Sequence, residues 1–160
     1  MLKHLEMGIG QMDNASDQWT KELQELILAE DRKIFSPRVI DNYLKPRNLK
    51  EISDPHGVSV ITGPCGDTMY IGLKIDKDRI VEIGFLTDGC GPTVACGSVL
   101  SQLALGKTIT EAAALNQETL LIALGGLPES HLHCAKLAVD TLHQALKNCE
   151  NQGGESNAKG

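Results

Sequence analysis

The sequence has few aromatic residues, no run of basic residues and no long apolar segment. Aromatic side chains make up 3% of the 160 residues, so the core must be built mainly from Leu, Ile, Val and Ala. The formal net charge is -6, which argues against nucleic acid as a main partner, because phosphate binding needs a basic surface. No segment approaches the roughly 20 apolar residues that a membrane-spanning helix needs, and we expect no membrane partner.

The amino-terminal segment also lacks the unbroken apolar core of a signal peptide, and we therefore expect a cytoplasmic protein. In a reducing compartment, cysteines are more often metal ligands, nucleophiles or core residues than parts of a disulfide framework. The five cysteines are Cys65, Cys90, Cys96, Cys134 and Cys149. Their odd number means that disulfides within one chain could not use all of them.

Hydrophobic periodicity divides the sequence into three parts. Residues 1–33 are predicted to be an extension with an amphipathic helix that begins near Asp17. Its apolar residues at helical spacing are Trp19, Leu23, Leu26 and Ile27. Residues 34–149 are long enough for one domain with a modest core. The polar, glycine-rich residues 150–160 are predicted to be a disordered tail.

From residue 58 the period of the apolar residues changes from helical to two. Three alternating stretches, separated by the turns G-P-C-G-D and D-K-D, predict a three-stranded antiparallel meander with one buried face. The alternating sets are Val58, Val60 and Thr62; Met69, Ile71, Leu73 and Ile75; and Val81, Ile83 and Phe85. After Gly91 the pattern is helical again. We therefore expect an α+β fold, with helices covering one face of the meander and an extra N-terminal helix.

The predicted meander brings two cysteines together. In an antiparallel meander, the first turn and the end of the third strand lie at the same end of the sheet. Cys65 lies in that turn and Cys90 directly follows the third strand, so both come to one edge. Glycines flank both, and glycine lets the backbone approach a ligand closely. Cys134 shares only a position near a helix start, where backbone amides favour a thiolate.

Each cysteine could instead be a small buried hydrophobic residue. This interpretation is unfavourable for Cys65, because a Gly/Pro turn that ends in Asp67 is not a core position. For Cys90 and Cys134 the two interpretations are about even. Cys96 lies among small and apolar residues, so we interpret it first as a helix-packing residue and second as an extra thiol near the site. Cys149, beside the polar tail, is expected to be exposed.

Asp67 and His133 are the candidate non-sulfur ligands. Asp67 is either a turn residue that bonds its own backbone or an oxygen ligand. His133 directly precedes Cys134, and His131 reaches the same region. Three thiolates with one Asp or His would complete a tetrahedral Zn²⁺ site or the four positions of a [2Fe–2S] cluster. Because oxygen is a harder donor than sulfur, a carboxylate among thiolates makes a weaker cluster site, which suits a carrier that releases its cargo.

With these residues the chain resembles the U-type iron–sulfur cluster assembly scaffolds, the IscU/NifU N-terminal-domain family. The segments that carry the resemblance, in the family's order, are Lys45–Ile52, Gly63–Ile75, Phe85–Ser98, Gly106–Ala112 and His133–Ala138. The resemblance implies a compact α+β domain whose three cysteines gather at one end of the sheet.

By this resemblance, Cys65, Cys90 and Cys134 are the metal-binding cysteines and the candidate sulfur acceptors. Asp67 is the aspartate that modulates cluster stability and release, and His133 matches the family's histidine. The resemblance implies a scaffold rather than an enzyme. Such a scaffold accepts sulfur from a cysteine desulfurase, assembles a transient [2Fe–2S] cluster with iron and delivers it to apo-proteins. Members of the family often bind Zn²⁺ when isolated.

Three departures from the family pattern are visible. Residues 127–131 read L-P-E-S-H, where many members have L-P-P-V-K, the segment that a dedicated Hsp70-type chaperone recognises. This departure argues against chaperone-assisted transfer. Cys96 stands where serine is common. No long insertion separates Cys90 from Cys134, unlike in the zinc-dependent sulfur-acceptor branch. Such a sulfur acceptor and a structural zinc module are the alternative functions, and the sequence leaves the native metal, the fourth ligand and a homo-oligomer open.

Overall fold

A computed structural model describes the backbone of residues 2–158 and the side chains of residues 15–150. The chain divides into two units, residues 1–34 and residues 35–160. The first unit is a single helix, α1 (Leu2–Ile34).

Helix α1 begins well before the predicted start at Asp17, which lies in the helix interior. Extending an existing helix is far easier than nucleating one. The glycines at positions 8 and 10, at about 1 kcal/mol each relative to alanine, therefore do not end the helix.

The second unit is an α+β domain. Its elements are α2 (Pro37–Leu44), β1 (Gly57–Thr62), β2 (Thr68–Asp76), β3 (Arg79–Thr87), α3 (Gly91–Ala104), α4 (Ile109–Ala113), α5 (Gln117–Leu124), a 3-10 turn (Glu129–His131) and α6 (Leu132–Ala158). The strands form one antiparallel sheet in the order β1-β2-β3. Helix α6 packs on β1 and β2, and α3 packs on β3. The predicted meander, covered on one face by helices, is confirmed.

Side-chain caps fix where two of the helices begin. Before α2, the Ser36 hydroxyl accepts a hydrogen bond from the Val39 amide at 3.2 Å, and Pro37 occupies the first helical turn. Before α5, the Asn116 side chain accepts from the Thr119 amide at 2.8 Å. These groups satisfy amides that have no partner within the helix.

Strand β1 turns its valines away from the helices. Val58 and Val60 are 37% and 64% exposed, whereas Gly57 and Ser59 are buried. Helix α6 passes so close to β1 that a Cβ atom at Gly57 would lie 2.2 Å from the Cys149 sulfur. Only glycine fits there, and the alternation of strand residues then places the valines on the opposite face.

A β-bulge between Lys74 and Ile75 shifts the register of β2 and β3. Ile75 therefore pairs with Ile80 rather than with Val81. Ile80 is buried and Val81 is 55% exposed, so the strict alternation of Val81 with Ile83 predicted from the sequence is wrong at this point.

The core lies between the sheet and helices α3, α5 and α6. Its largest fully buried apolar side chains include Met69, Leu73, Phe85, Leu100, Leu120, Leu124 and Leu142. Cys96 is 0% exposed and belongs to this core, which confirms its interpretation as a helix-packing residue.

Helix α6 extends further than the sequence predicted. The expectation of an exposed Cys149 is wrong, because Cys149 is buried against β1. The helix runs on to Ala158, so the segment expected to be a disordered tail from residue 150 is helical up to that point. A helix already anchored by packing can propagate through a polar stretch. Residues 159 and 160 lie outside the described residues.

None of the helices within residues 2–158 is both long enough and apolar enough to cross a bilayer.

Candidate metal centre

The turn between β1 and β2 presents Cys65 to solvent. The Gly63 amide donates to the Asp67 carbonyl at 2.8 Å, and the Gly66 amide donates back to the Gly63 carbonyl at 3.0 Å. Gly66 has a φ of 92°, in the left-handed region that favours glycine. The tight turn leaves Cys65 exposed and Asp67 half-buried beside it.

Cys90 lies at the same end of the sheet, directly after β3. The Thr68 amide, at the start of β2, donates to the Asp88 carboxylate at 2.7 Å, which holds the end of β3 against the first turn. Cys90 is the residue that precedes the first turn of α3, and it is exposed. The shared edge that the meander predicted for Cys65 and Cys90 is therefore present.

Helix α6 brings Cys134 to this edge from its first turn, where the side chain is buried. Thr93 on α3, which is also buried, connects Cys134 with Asp67 and Cys90. Its Oγ1 lies 3.3 Å from the Cys134 Sγ, 3.0 Å from the Asp67 Oδ2 and 3.7 Å from the Cys90 Sγ. The hydroxyl has one hydrogen, so it donates to either the carboxylate or a sulfur at a given moment.

Sequence reasoning did not identify Thr93. A signal was available, because Thr93 stands three residues after Cys90 and therefore on the same side of α3. That spacing does not reveal that Asp67 and Cys134 approach the same hydroxyl from two other elements.

The potential ligands form two adjacent groups of three. The first triad is Cys90, His131 and Cys134, and the second triad is Cys65, Asp67 and His133. Within each triad the ligand atoms all lie within 4.8 Å of one another. The His133 Nε2 lies 3.6 Å from the Cys134 Sγ, so the two triads meet. The three cysteines, Asp67 and His133 are thus gathered in one place, and neither triad includes Cys96.

His131 is the member of the first triad that the sequence did not identify as a candidate ligand, although its proximity was expected. Its Nδ1 is buried and has no hydrogen-bond partner among the described residues. The ring packs edge-on against Phe35, with centroids 5.4 Å apart. One nitrogen of the His131 ring lies within 4.8 Å of the Cys90 and Cys134 sulfurs, so this imidazole has the chemistry of a metal ligand. The H-x-H-C spacing was the signal in the sequence.

The backbone at Gly89, two residues after β3, passes close to Asp67. A Cβ atom at Gly89 would lie 2.8 Å from the Asp67 Oδ2 and 2.7 Å from the Thr93 Cβ. Glycine at this position lets the carboxylate reach the hydroxyl of Thr93.

Residues 34–155 match the family model described as the NifU-like N-terminal domain. The chain belongs to this family. The resemblance inferred from its cysteine segments is confirmed. All of α1 except Ile34 lies outside the matched residues, and so do the last three residues of α6.

Two relatives of the NifU-like domain are named iron–sulfur cluster assembly scaffold proteins. The protein IscU 1 of Archaeoglobus fulgidus is 40% identical over 114 residues, which cover 71% of this chain and 74% of the relative. The protein IscU of Aquifex aeolicus is 37% identical over 116 residues, with the same coverage of each chain. The crystal structure of the N-terminal part of a NifU-like protein from Brucella abortus has the same fold, with a TM-score of 0.57, 17% identity and coverage of 72% of this chain and 94% of that chain.

Burial favours the neutral thiol of Cys134 in this NifU-like domain. The pKa of Cys134 is raised to about 11, mainly because of burial; the hydrogen bond from Thr93 opposes this change, and the nearby Cys90, Asp67 and Cys65 contribute to it. Cys134 is therefore a neutral thiol at neutral pH, and a metal that bound it would have to displace its proton.

Cys96 differs from the three candidate ligand cysteines. Its complete burial in the core raises the pKa of its thiol strongly. The placement of Cys96 in the core, outside both triads, argues against it as a ligand.

Proposed function

We propose that the chain is a scaffold on which an iron–sulfur cluster is assembled and from which the cluster passes to other proteins. The observation that carries this proposal is the gathering of three thiols, one carboxylate and two imidazoles from four segments at one edge of the sheet. The names of the relatives from Archaeoglobus fulgidus and Aquifex aeolicus support it. The cargo that fits this donor set is a [2Fe–2S] cluster, because each iron needs two protein ligands and thiolates dominate.

Exposure of Cys65 and Cys90 suits the entry of sulfur. All five thiols are free, and these two are exposed, so the persulfide of a cysteine desulfurase can reach them. Attack of a scaffold thiolate on the outer sulfur forms a new persulfide on the scaffold and returns the desulfurase cysteine as a thiol. An external electron donor then reduces that sulfur to sulfide, which combines with iron. The reducing cytoplasm is the compartment that fits free thiols.

Asp67 suits the release of the cargo. Its carboxylate shares a triad with Cys65 and His133, and an oxygen donor holds iron of a thiolate-bound cluster more weakly than sulfur does. Thiols of an apo-protein can displace it first. The exposed position of Cys65 leaves this side of the site open to such a partner.

Anaerobic reconstitution tests the proposal. The full chain is incubated with ferrous iron, sulfide and a thiol reductant, and the visible spectrum is recorded. We expect sulfur-to-iron charge-transfer bands in the wild-type protein and in Cys149→Ala, whose thiol lies in the core. We expect at least a tenfold loss of these bands in Cys65→Ala.

Two results would contradict the scaffold function. One is the absence of a cysteine-ligated cluster in the wild-type protein. The other is tight Zn²⁺ that survives purification, with strong stimulation of a desulfurase and no cluster, which would instead indicate a zinc-dependent sulfur acceptor.

Asp67→Ala tests the release step separately. The cluster should persist several-fold longer in this variant when an apo-ferredoxin or a chelator competes for it, because the labile oxygen contact is gone. Asp76→Ala, which changes an exposed aspartate at the opposite end of β2, is the matched control. Equal or faster loss from Asp67→Ala would exclude the proposed role of Asp67 and leave the assembly function standing.

A further inference from the structure

Helix α1 carries an apolar stripe that a single helix cannot bury. Trp19 and Leu26 are both 67% exposed, Leu23 is 44% exposed and Ile27 is 53% exposed. Their spacing of three and four residues places them on one side of the helix. Two glycines in the sequence of its first part, at positions 8 and 10, weaken an isolated helix further. Such a helix depends on packing of its apolar side.

The sequence of α1 repeats in heptads. Steps of three and four residues connect Leu2, Leu5, Ile9, Met12, Ser16, Trp19, Leu23 and Leu26, and seven of these eight residues are apolar. The mean period is therefore 3.5 residues, the repeat of a coiled coil, rather than the 3.6 of a straight helix. A helix that is covered by a globular domain does not require this strict repeat, whereas a helix that pairs with another long helix does.

The distribution of charge agrees with pairing between like helices. In residues 15–29 the positions that flank the stripe are Ala15, Thr20, Glu22, Ile27 and Ala29. Only one of them is charged, so two copies can approach without facing rows of like charge. The heptad repeat ends where Glu30 and Lys33 take the next two stripe positions, and there they pair with each other at 3.0 Å.

The apolar area is sufficient for a reversible interface. The exposed parts of the large apolar side chains on the stripe and beside it, which are Trp19, Leu23, Leu26 and Ile27, amount to on the order of 450 Å² per chain. Two such helices would bury about 900 Å² in total, which is the size of a weak, reversible interface. Exposed apolar patches of this size often mark an interaction site.

We propose that α1 is an assembly element that pairs with α1 of a second copy of this chain in a coiled coil. The stripe from Ser16 to Leu26 forms the seam, defined as the side chains at positions 16, 19, 23 and 26. Because α1 lies outside the residues that match the family, this role is separate from the metal centre. It predicts that the chain self-associates without any metal.

Sedimentation equilibrium of the full chain tests the proposal. The protein is kept in a chelator and a reductant, so that neither bridging metal nor disulfides link the copies. We expect the wild-type chain, of 17.2 kDa, to form an oligomer that dissociates on dilution. Leu23→Glu/Leu26→Glu should raise the dissociation constant at least about 100-fold, because it places charge in the seam.

Gln18→Glu/Gln24→Glu is the matched control. It adds the same two negative charges to the outer side of α1 and should leave the dissociation constant within about threefold of the wild-type value. Anaerobic cluster formation should be the same in both double variants, which checks that residues 35–160 remain folded and separates this proposal from the scaffold function.

Two results would overturn the pairing. A wild-type chain that stays monomeric at high concentration would mean that α1 is covered within its own chain or by a different protein. An oligomer that survives unchanged in Leu23→Glu/Leu26→Glu would mean that another surface holds the copies together.

Discussion

Thr93 connects the two triads through a single hydroxyl hydrogen. With the Cys134 thiol protonated, the Asp67 carboxylate is the stronger acceptor, because hydrogen bonds to charged groups are the stronger ones. If Cys134 lost its proton on binding a metal, its sulfur would become a charged competitor for the same hydrogen, 3.3 Å away. A metal at the first triad would therefore weaken the hydrogen bond from Thr93 to Asp67 in the second triad.

Thr93→Val should make Cys134 less reactive. The variant keeps the shape of the side chain but removes the hydrogen bond that lowers the pKa of Cys134, so this pKa rises further. Alkylation of Cys134 by iodoacetamide at pH 8.5, followed by mass spectrometry, should be about threefold slower, which corresponds to a pKa change of about 0.5. Thr93→Ser keeps the hydroxyl and should react like the wild-type protein. An unchanged rate in Thr93→Val would show that the hydroxyl serves Asp67 alone.

At the scale of elements, the contact between α6 and β1 positions the candidate metal centre, because α6 also carries Cys134. The helix approaches the strand at Gly57, and further along the Asn148 side chain donates to the Val58 carbonyl at 2.7 Å. The contact thus involves both the core side of the strand and its backbone.

Gly57→Ala should destabilise the protein by about 2–3 kcal/mol, which is typical of overpacking in a core. Its Cβ would lie 2.2 Å from the Cys149 Sγ and 2.3 Å from the backbone oxygen of Ala145. Backbone cannot move aside as a flexible side chain can. Urea denaturation followed by circular dichroism measures the loss.

Gly66→Ala serves as the control for Gly57→Ala. No atom lies within 4 Å of its Cβ position, although the φ of 92° disfavours alanine by about 1 kcal/mol. The free energy of unfolding should decrease more in Gly57→Ala than in Gly66→Ala. Equal decreases would mean that α6 can shift away from β1.

The elements and their order followed from the sequence, but the finer placement depended on contacts between distant segments. Local alternation predicted the meander and the shared edge of Cys65 and Cys90. It did not predict that Val58 faces outward, because α6 imposes that choice at Gly57. Nor did it reveal the bulge that exposes Val81, since a bulge changes the register without changing the residue pattern.

Within the candidate site, too, local sequence patterns did not reveal contacts between residues on different elements. The position of Cys134 came from the family resemblance, because no periodicity relates α6 to the sheet edge. Thr93 was missed because its partners belong to the first turn and to α6. The prediction that Cys149 is exposed was wrong because it placed the end of the helix where the composition becomes polar. Packing of α6 on β1 instead stabilises the helix beyond that point.

At the scale of the whole molecule, buried thiols make stability depend on pH in the alkaline range. Burial raises the pKa of Cys149 from 9.0 to about 11, and Cys134 and Cys96 are raised as well. Below pH 9 these thiols are protonated in both the folded and the unfolded chain. Above pH 9 the unfolded chain loses their protons first, so the free energy of unfolding falls as the pH rises towards 11.

Removal of one of these thiols should make the free energy of unfolding fall less as the pH rises. Between pH 8.5 and pH 11, Cys149→Ala should lose about 2 kcal/mol less stability than the wild-type protein, as measured by urea denaturation with a reductant present. Leu146→Ala, a nearby core truncation on α6, should lower stability at every pH but keep the wild-type dependence. If Cys149→Ala showed that same dependence, deprotonation of Cys149 would not contribute.

The unequal exposure of the three candidate ligand cysteines also affects how the protein oxidises in air. Peroxide and dioxygen meet Cys65 and Cys90 first, because these sulfurs are exposed while that of Cys134 is buried. Oxidation to sulfinic or sulfonic acid cannot be reversed by ordinary reductants. A preparation left in air would therefore lose the thiols of Cys65 and Cys90, while the thiol of Cys134 would still react with a thiol reagent after unfolding. The number of reactive thiols alone would then overestimate how much of the sample can still carry a cluster.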